Sequence, residues 1–327
     1  MQYFLGIDQG GTKTQVAICS EDGTLVGAAT GESMIFYLDD PANKSTARAR
    51  RLAEKILMDV GLPWDCISVA CGGINGVDWP HEVEIHAARL REGLNLSDVI
   101  AVNDSIIALR AGTSAPNRII LVAGTGLNIA TRSSDGAEYT YGYFIPNRLQ
   151  GGGALGCAVI EAVTEAEAGV RPPTMLKDVL LSTSGCASVE EFLTKTTTRQ
   201  MSFPSQSLMP GLLKATLAGD AIANRIVEAF ASDMAAYIEN AMTRLSGGDA
   251  ELVFSGGVFK SDGRHIADAI AKKLFQKFPR LRFVNARLEP ACGALLMLLD
   301  KRHNENIPPR VLEKFGRGCE QHGLIRT

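Results

Sequence analysis

Seven consecutive residues, Asp8-Gln9-Gly10-Gly11-Thr12-Lys13-Thr14, place an acid at the end of a β-rich run, then two glycines and two threonines. Glycine lets a backbone turn sharply and approach another surface closely, so such a turn can lay N–H groups against phosphate oxygens. Thr12 and Thr14 can donate hydroxyl hydrogen bonds, and Asp8 can hold a hydrated Mg²⁺, a cation that prefers carboxylate and water oxygens. An ordinary hairpin turn would also explain the glycine pair. The loop is not of the Walker type, because no Gly-Lys-Ser/Thr and no helix follow it. Ala123-Gly124-Thr125-Gly126-Leu127-Asn128 echoes the first turn. A third, Phe254-Ser255-Gly256-Gly257-Val258-Phe259, follows an expected strand and precedes a helix expected from near Asp262, and could offer backbone and flat apolar surface to an adenine. Asp104 closes the run Val102-Asn103-Asp104 at a strand end. A carboxylate there can take the proton of a hydroxyl attacking a γ-phosphoryl group, or can cap the helix expected from Ile106 to Arg110. One side chain can do both.

Other chemistries find less support. His81 and His86 flank Glu82 and Glu84, but the histidines are five positions apart rather than four. At ~100° per residue they stand ~140° apart around a helix, too far for one metal. There is no Gly-x-Ser-x-Gly nucleophile elbow. The seven cysteines are scattered, odd in number and without a Cys-x-x-Cys pair, which fits free thiols better than a disulfide framework or a zinc site.

The elements that must position these residues follow from periodicity. Tyr3–Ile7, Thr14–Cys19 and Leu25–Ala28 are strand-like, with Asp22-Gly23 as a turn between the last two. Asp40 as N-cap and Pro41 at the first helical position introduce a helix whose apolar stripe runs from Ala49 to Val60 and which Gly61 stops. Ile67–Cys71 and Val99–Asn103 are further strands, with a helix over about 82–93 between them. The order β-β-β-α-β-α-β is that of a mixed α/β layer. It begins again at Arg118. At an offset of 113, Gly11-Thr12 falls on Gly124-Thr125 and Asp22-Gly23 on Asp135-Gly136; near 183, Cys71-Gly72-Gly73 falls on Ser255-Gly256-Gly257 and Val102-Asn103 on Val284-Asn285. The change of offset implies an insertion of about 71 residues, placed within 143–230. A long amphipathic helix with a stripe from Ile222 to Leu245 follows, ended by Gly247.

Length and composition fit this organisation. The 327 residues suggest about two domains, and 46% hydrophobic with 21% charged residues is ordinary for a globular chain. A formal charge of −3 argues against a nucleic-acid groove or a polybasic membrane surface. No apolar run approaches the ~20 residues of a spanning helix and no leader pattern is recognisable, so a cytoplasmic protein is expected. Glycine is the outlier at 33 residues.

Together these motifs resemble the actin, sugar kinase and Hsp70 superfamily, and within it the N-acetylglucosamine kinase and BadF/BadG/BcrA/BcrD ATPase family. The resemblance covers nearly the whole chain. It implies two duplicated ribonuclease-H-like domains around a nucleotide cleft: an N-terminal lobe over 1–113, a C-terminal lobe over 114–300 with the helical insertion, and a 301–327 tail returning to the N-terminal lobe. It implies ATP and Mg²⁺ as cofactors. Gly10, Gly11, Thr12, Lys13 and Thr14 match the first phosphate loop; Gly124, Thr125, Gly126 and Asn128 match the second; Gly256, Gly257, Val258 and Phe259 match the adenosine segment. Asp8 is then the metal site. Ala111-Gly112 and Glu289-Pro290-Ala291-Cys292-Gly293-Ala294 look like the hinge crossings, and Asp104 matches the catalytic base.

The acceptor side departs from the family. Gly31-Glu32-Ser33 is followed by Met34 rather than asparagine, and an expected Gly-Asp-Glu-Gly-Ser segment is replaced by the stretch 142–153, with Asn147 and Arg148. The small-residue turn Cys71-Gly72-Gly73-Ile74-Asn75-Gly76 survives. Gly73, Asn75, Gly76, Asn103 and Arg148 are the candidate acceptor residues. Arg148 would suit an acceptor bearing a carboxylate or other anion. The expected function is ATP-dependent phosphotransfer to a hydroxyl of a sugar-like small molecule, with no nucleic-acid or membrane partner and a homodimer as the family's common assembly. Two alternatives are an ATPase activator of a dehydratase-type redox enzyme and a non-catalytic sugar sensor. The Ala-Gly-Thr-Gly second loop argues against the first and the presence of Asp104 against the second. Gly151-Gly152-Gly153 has no explanation at this level.

Overall fold

The computed structural model describes residues 1–11, 13–33 and 43–326. Thr12, Met34, Asp40 and Pro41, all named above, lie outside the described residues. The strands are β1 (Tyr3–Gln9), β2 (Lys13–Ser20), β3 (Leu25–Glu32), β4 (Ile67–Ile74), β5 (Val99–Asn103), β6 (Arg118–Ala123), β7 (Leu127–Arg132), β8 (Glu138–Thr140), β9 (Ala250–Ser255) and β10 (Leu281–Asn285). The helices are α1 (Lys44–Asp59), α2 (Pro80–Leu94), α3 (Asp104–Gly112), α4 (Gly151–Glu167), α5 (Leu176–Ser184), α6 (Val189–Thr197), α7 (Met209–Leu217), α8 (Ala221–Met242), α9 (Arg264–Phe275), α10 (Pro290–Arg302) and α11 (Pro309–Gln321). It is an α/β fold with two five-stranded sheets, ordered β3-β2-β1-β4-β5 and β8-β7-β6-β9-β10.

The two orders are the same when β1–β5 are mapped onto β6–β10. The repeat extends to hydrogen bonds. In the β2–β3 hairpin Ser20 N–H donates to Thr24 O (2.8 Å) and Gly23 N–H to Ser20 O (2.9 Å); after β7, Ser133 N–H donates to Ala137 O (2.8 Å) and Gly136 N–H to Ser133 O (2.9 Å). Gly23 and Gly136 have φ of 85° and 89°, the left-handed conformation that a tight turn closes with and that glycine adopts without strain.

Contacts divide the chain into two compact units. The first holds Met1–Ile120, Ala130–Gly142 and Val284–Thr327; the second holds Leu121–Ile129 and Tyr143–Phe283. In the first unit β1 is antiparallel to β2 and parallel to β4, and β4 is parallel to β5. Alternation along β1 sends Leu5 and Ile7 into a core with Ile18, Ala53, Leu57 and Leu90, while Phe4 faces Leu295, Leu299 and Phe315 from α10 and α11. A sheet covered on both faces must be apolar throughout, which explains why six of the seven β1 residues are buried. Gly6 lies under α10, where an added Cβ would come within 2.5 Å of Ala291 O. α11 packs on β3, with Gly318 against Leu25.

The second unit is mostly helical. Asp220 caps α8 by accepting from Ile222 N–H (2.9 Å) and Ala223 N–H (2.8 Å). The helix buries Ile222, Phe230, Met234 and Ile238 as its periodicity requires. It ends at Met242, five residues before Gly247, because the following turns tighten to i→i+3 bonds from Thr243, Arg244 and Leu245. α9 begins at Arg264, two residues later than expected, because short 3₁₀ turns at Gly257–Phe259 and Ser261–Gly263 occupy the approach.

The tightest helix crossing joins α3 to α10. A Cβ on Gly293 would sit 1.8 Å from Ile107 O and 2.8 Å from Ala111 N. Backbone at that distance cannot yield as a side chain could. Gly293→Ala is expected to cost about 3 kcal/mol or more, read as a lower midpoint in urea unfolding.

Candidate active site

Strand register assembles a corner of the first unit. Asp8 pairs with Gly73, and Gln9 with Ile74; Gly73 pairs with Val102, and Ile74 with Asn103. The C-terminal ends of β1, β4 and β5 therefore lie side by side, and the loops leaving them carry Gly10-Gly11, Asn75-Gly76 and Asp104. In parallel strands the carboxyl ends are where an open α/β sheet binds ligands. The first turn closes through Gly10 N–H to Lys13 O (3.0 Å), and Ser33 Oγ donates to Gly10 O (3.1 Å). Asn75 N–H donates to Gln9 O (3.0 Å), and the Asn75 amide lies 3.2 Å from where a Gly11 Cβ would be.

Two carboxylates share this corner. Asp8 is 6% exposed, and burial, with Asp104 as the next cause, pushes its carboxyl up to about 7; Arg326 and Lys13 oppose the shift. Asp104 retains some accessible surface but is enclosed by protein, and burial followed by the Asp78 carboxylate pushes it up to about 6. Asp104 is the first residue of α3, so the helix N-terminus favours its charged form and partly offsets the burial. The cap itself is Asn103. Its Oδ1 accepts from Ser105 N–H (2.9 Å) and Ser105 Oγ (2.5 Å), and its Nδ2 donates to Val77 O (3.1 Å) and Asp78 Oδ1 (2.8 Å). The capping alternative for Asp104 thus passes to its neighbour, and the Asn103 amide is spent on positioning Asp78 and α3.

Beside Asp8, Glu289 binds Lys13 Nζ at 2.9 Å and Arg326 Nε at 3.6 Å. The terminal segment is tied in by a Leu288–Ile325 bridge and by Arg326 N–H to Arg287 O (2.7 Å). Gln9 is 2% exposed and Thr14 fully buried, yet Gln9 Nε2 and Thr14 Oγ1 have no hydrogen-bond partner among the described residues. Orphaned donors at a glycine turn suit an anion that would satisfy them. A Mg²⁺ site fits the same corner, since Mg²⁺ is held by one or two carboxylates with waters and substrate phosphates, and Asp8 supplies a buried carboxylate whose charge needs a cation.

The second unit carries the other glycine turns. Gly124 N–H donates to Gly126 O (2.9 Å), and Gly152 N–H at the start of α4 donates to Gly124 O (2.7 Å). Gln150 Oε1 accepts from Leu127 N–H (2.9 Å). Gly151, at φ 54°, would bring a Cβ within 2.5 Å of Gly124 O and Gly126 O. That contact accounts for the glycine run 151–153: the helix start lies directly on the turn. Gly256, at φ 102°, packs on the backbone of Ala123 in the same way, with 2.2 Å between its Cβ position and the Ala123 carbonyl oxygen. Gly124 and Gly257, adjoining this contact, have nothing among the described residues within 4 Å of the place a Cβ would take, so packing does not require them to be glycine. Thr125 is exposed, Asn128 half-buried and Val258 buried, while the Phe259 ring lies 5.0 Å from Phe254.

The acceptor candidates divide. Asn75 and Gly76 stand beside the first turn. Gly73 has Ile107 at 2.2 Å from its Cβ position, so α3 packing explains that glycine. Arg148 belongs to the second unit, where it is exposed and paired with Asp233 at 3.2 Å, whereas Asn75 and Gly76 belong to the first. Sequence reasoning missed Gln9, Asp78 and Arg326. Asp78 follows the Asn75-Gly76 turn by two residues and was legible as an acid near it, whereas nothing in the sequence ties Arg326 to Asp8.

A family model described as the BadF/BadG/BcrA/BcrD ATPase family matches residues 5–297. The chain belongs to that family. Membership makes ATP its nucleotide. Among curated relatives, an N-acetyl-D-glucosamine kinase of Dictyostelium discoideum is 25% identical over 92% of this chain and 99% of its own length. An N-acetylmuramic acid/N-acetylglucosamine kinase of Clostridium acetobutylicum is 24% identical over 91% and 98%. A solved candidate N-acetylglucosamine kinase of Chromobacterium violaceum superposes with a TM-score of 0.66 at 21% identity, covering 91% of this chain and 99% of that one. The fold of this BadF/BadG/BcrA/BcrD family member is that of the actin-like ATPase sugar kinases.

The two buried carboxyls set a pH dependence of stability. Each binds its proton more tightly folded than unfolded, so neither opposes folding below about pH 4. Their cost grows as pH rises and is complete above about pH 7. Asp8→Asn is therefore expected to raise stability at pH 8, in the absence of divalent cation, by on the order of 3 kcal/mol and to change little at pH 4. Urea unfolding at the two pH values reads the difference; an equal effect at both would show that the Asp8 charge is not strained.

Proposed function

We propose that the protein is an ATP-dependent carbohydrate kinase that phosphorylates a hydroxyl of an amino sugar, and that Asp104 is its general base. The observation that carries this reading is the strand-end corner where a buried Asp8 and the proton-avid Asp104 meet a glycine turn with unsatisfied donors. The two curated kinases support the acceptor class, since both act on N-acetylated amino sugars by name. The anionic-acceptor reading of Arg148 loses its footing because that side chain is exposed and neutralised by Asp233.

Each group then has a task. Asp104 accepts the proton of the acceptor hydroxyl as its oxygen attacks the terminal phosphoryl group, and a value near 6 leaves it ionised at neutral pH yet basic enough to help. Asn103 holds α3 and Asp78 in place, and Asn75 and Gly76 face the acceptor. Gln9, Thr14 and the Gly10-Gly11 backbone bind phosphate oxygens. Gly124, Thr125, Gly126 and Asn128, with Gly256, Gly257, Val258 and Phe259, bind the nucleotide. Asp8 would hold Mg²⁺, which when bound neutralises phosphate charge. Lys13 exchanges Glu289 for a phosphate oxygen. We also propose a homodimer as the assembly.

Asp104→Asn is expected to lower kcat by about 10²–10⁴-fold with ATP binding retained. Turnover across a panel of N-acetylglucosamine, glucosamine, N-acetylmuramic acid and sugar acids checks both base and acceptor; activity surviving the substitution would remove Asp104 from its role. In the wild type kcat should fall tenfold per pH unit below about 6. Because no described residue abuts Gly257, Gly257→Val should keep stability within about 0.5 kcal/mol while raising KM for ATP by about tenfold or more.

A further inference from the structure

Three arginines converge in the first unit away from the strand-end corner. Two of them are neutralised. Arg110 makes two bonds to Asp300, at 2.5 and 3.0 Å, and Arg132 binds Glu138 at 2.8 Å and also Glu305. The third, Arg118 at the start of β6, is only 9% exposed and forms no ion pair among the described residues. Its Nη1 donates to Ala115 O (2.9 Å), and its Nε is buried without a partner among the described residues. A buried cation with an unused donor is costly unless something supplies the opposite charge.

Arg118 lines two adjoining cavities, of about 360 and 330 Å³, each at the small end of the range for small-molecule sites. The larger has an apolar floor of Ile106, Leu109 and Met297, and a polar rim that includes Asn304 and Glu305. We propose that this cavity is a second ligand site, for a small oxyanion carried on a polyol, either a phosphate monoester or a carboxylate. The Arg118 guanidinium takes the anion through its fork of N–H groups, a geometry that matches both oxyanions, and the rim carboxylate and amide take the hydroxyls. Burial, then the positive charges of Arg110 and Arg132, push Arg118 down to about 10 against the opposing pull of Asp300 and Glu138, a net field that an anion relieves. The elements lining the cavity are also those of the candidate active site: α3 begins at Asp104 and contributes Arg110, and α10 follows Glu289 and contributes Asp300. An occupant is thus positioned to regulate the enzyme from the far ends of those helices.

Thermal unfolding of the full chain tests this, with saturating non-hydrolysable ATP analogue and Mg²⁺ present throughout so that the nucleotide site is filled. The probes are glucose 6-phosphate, gluconate, inorganic phosphate and glucose. At tenfold over its Kd, glucose 6-phosphate or gluconate should raise the wild-type midpoint by about 2 °C, and the responding arm identifies which oxyanion the site takes. Arg118→Gln should abolish that shift and leave the shift due to the ATP analogue intact. Asn304→Asp adds a rim charge at φ 51°, a conformation Asp tolerates, and should weaken probe binding severalfold without touching the core. This variant carries the test if Arg118→Gln fails to fold. No shift with either anionic sugar, or the same shift in both variants as in wild type, would overturn the proposal. A shift from glucose equal to that of the anionic sugars would remove the anion from it, and one from inorganic phosphate alone would remove the polyol.

Discussion

Burial of two carboxylates at neighbouring strand ends is the constraint from which the rest of the first unit follows. Like charges in a low-dielectric corner repel, and each resists ionisation; both Asp8 and Asp104 hold their protons far more tightly than a free aspartate. A fold selected for stability alone would not keep this pair. It persists because β1, β4 and β5 are fixed in register by a sheet buried on both faces, and because Asn103 caps α3 through its Oδ1 while its Nδ2 holds Val77 and Asp78. Cations stand close by: Lys13 and Arg326 lower Asp8 while themselves held by Glu289. The corner holds strain of the kind that a cation and a polyanion relieve.

Much of this architecture was legible in the residues. The strand, turn and glycine echoes, at an offset of 113 and then near 183, correspond to two sheets of the same order and two hairpins with the same hydrogen bonds. Periodicity located α2, α3 and α8 within a few residues. What stayed hidden depends on contacts between distant segments. Sequence spacing could not show that Asn103 rather than Asp104 caps α3, because the deciding partners are Ser105 on one side and Asp78 on the other. Nor could it bring Arg326 to Asp8, which takes a strand bridge between Leu288 and Ile325. The nine residues 34–42, where the departure at Met34 falls, are outside the described structure.

Glycine shows the same limit from another direction. The composition has an excess of it, and a glycine in a motif reads equally as a turn, a packing contact or a place for a ligand. Three-dimensional contacts separate the three. Gly73, Gly151, Gly256 and Gly293 are each pressed against Ile107 or against backbone, so a side chain has no room. Gly124 and Gly257 have space and do not need to be glycine for the protein's own sake. Two positions in phosphate-loop and adenosine-like turns that are small without a packing reason are better evidence of close approach by a ligand than the glycine count itself.

The α3–α10 pair gives these observations a mechanical connection. Glycine at 293 lets the two backbones touch near the middle of the crossing, and Arg110 binds Asp300 in bidentate fashion toward its far end. Asp104 and Glu289 stand at the opposite ends of the same helices. A pair locked at two points moves as one body, since packed backbone contacts do not deform continuously. Any displacement of Arg110 or Asp300 by charge placed on Arg118 is therefore transmitted to the position of the proposed base and to the carboxylate that holds Lys13. Regulation from that cavity requires no flexible lever, only a change in how two already neutralised arginines share their carboxylates with a third that pairs with none among the described residues.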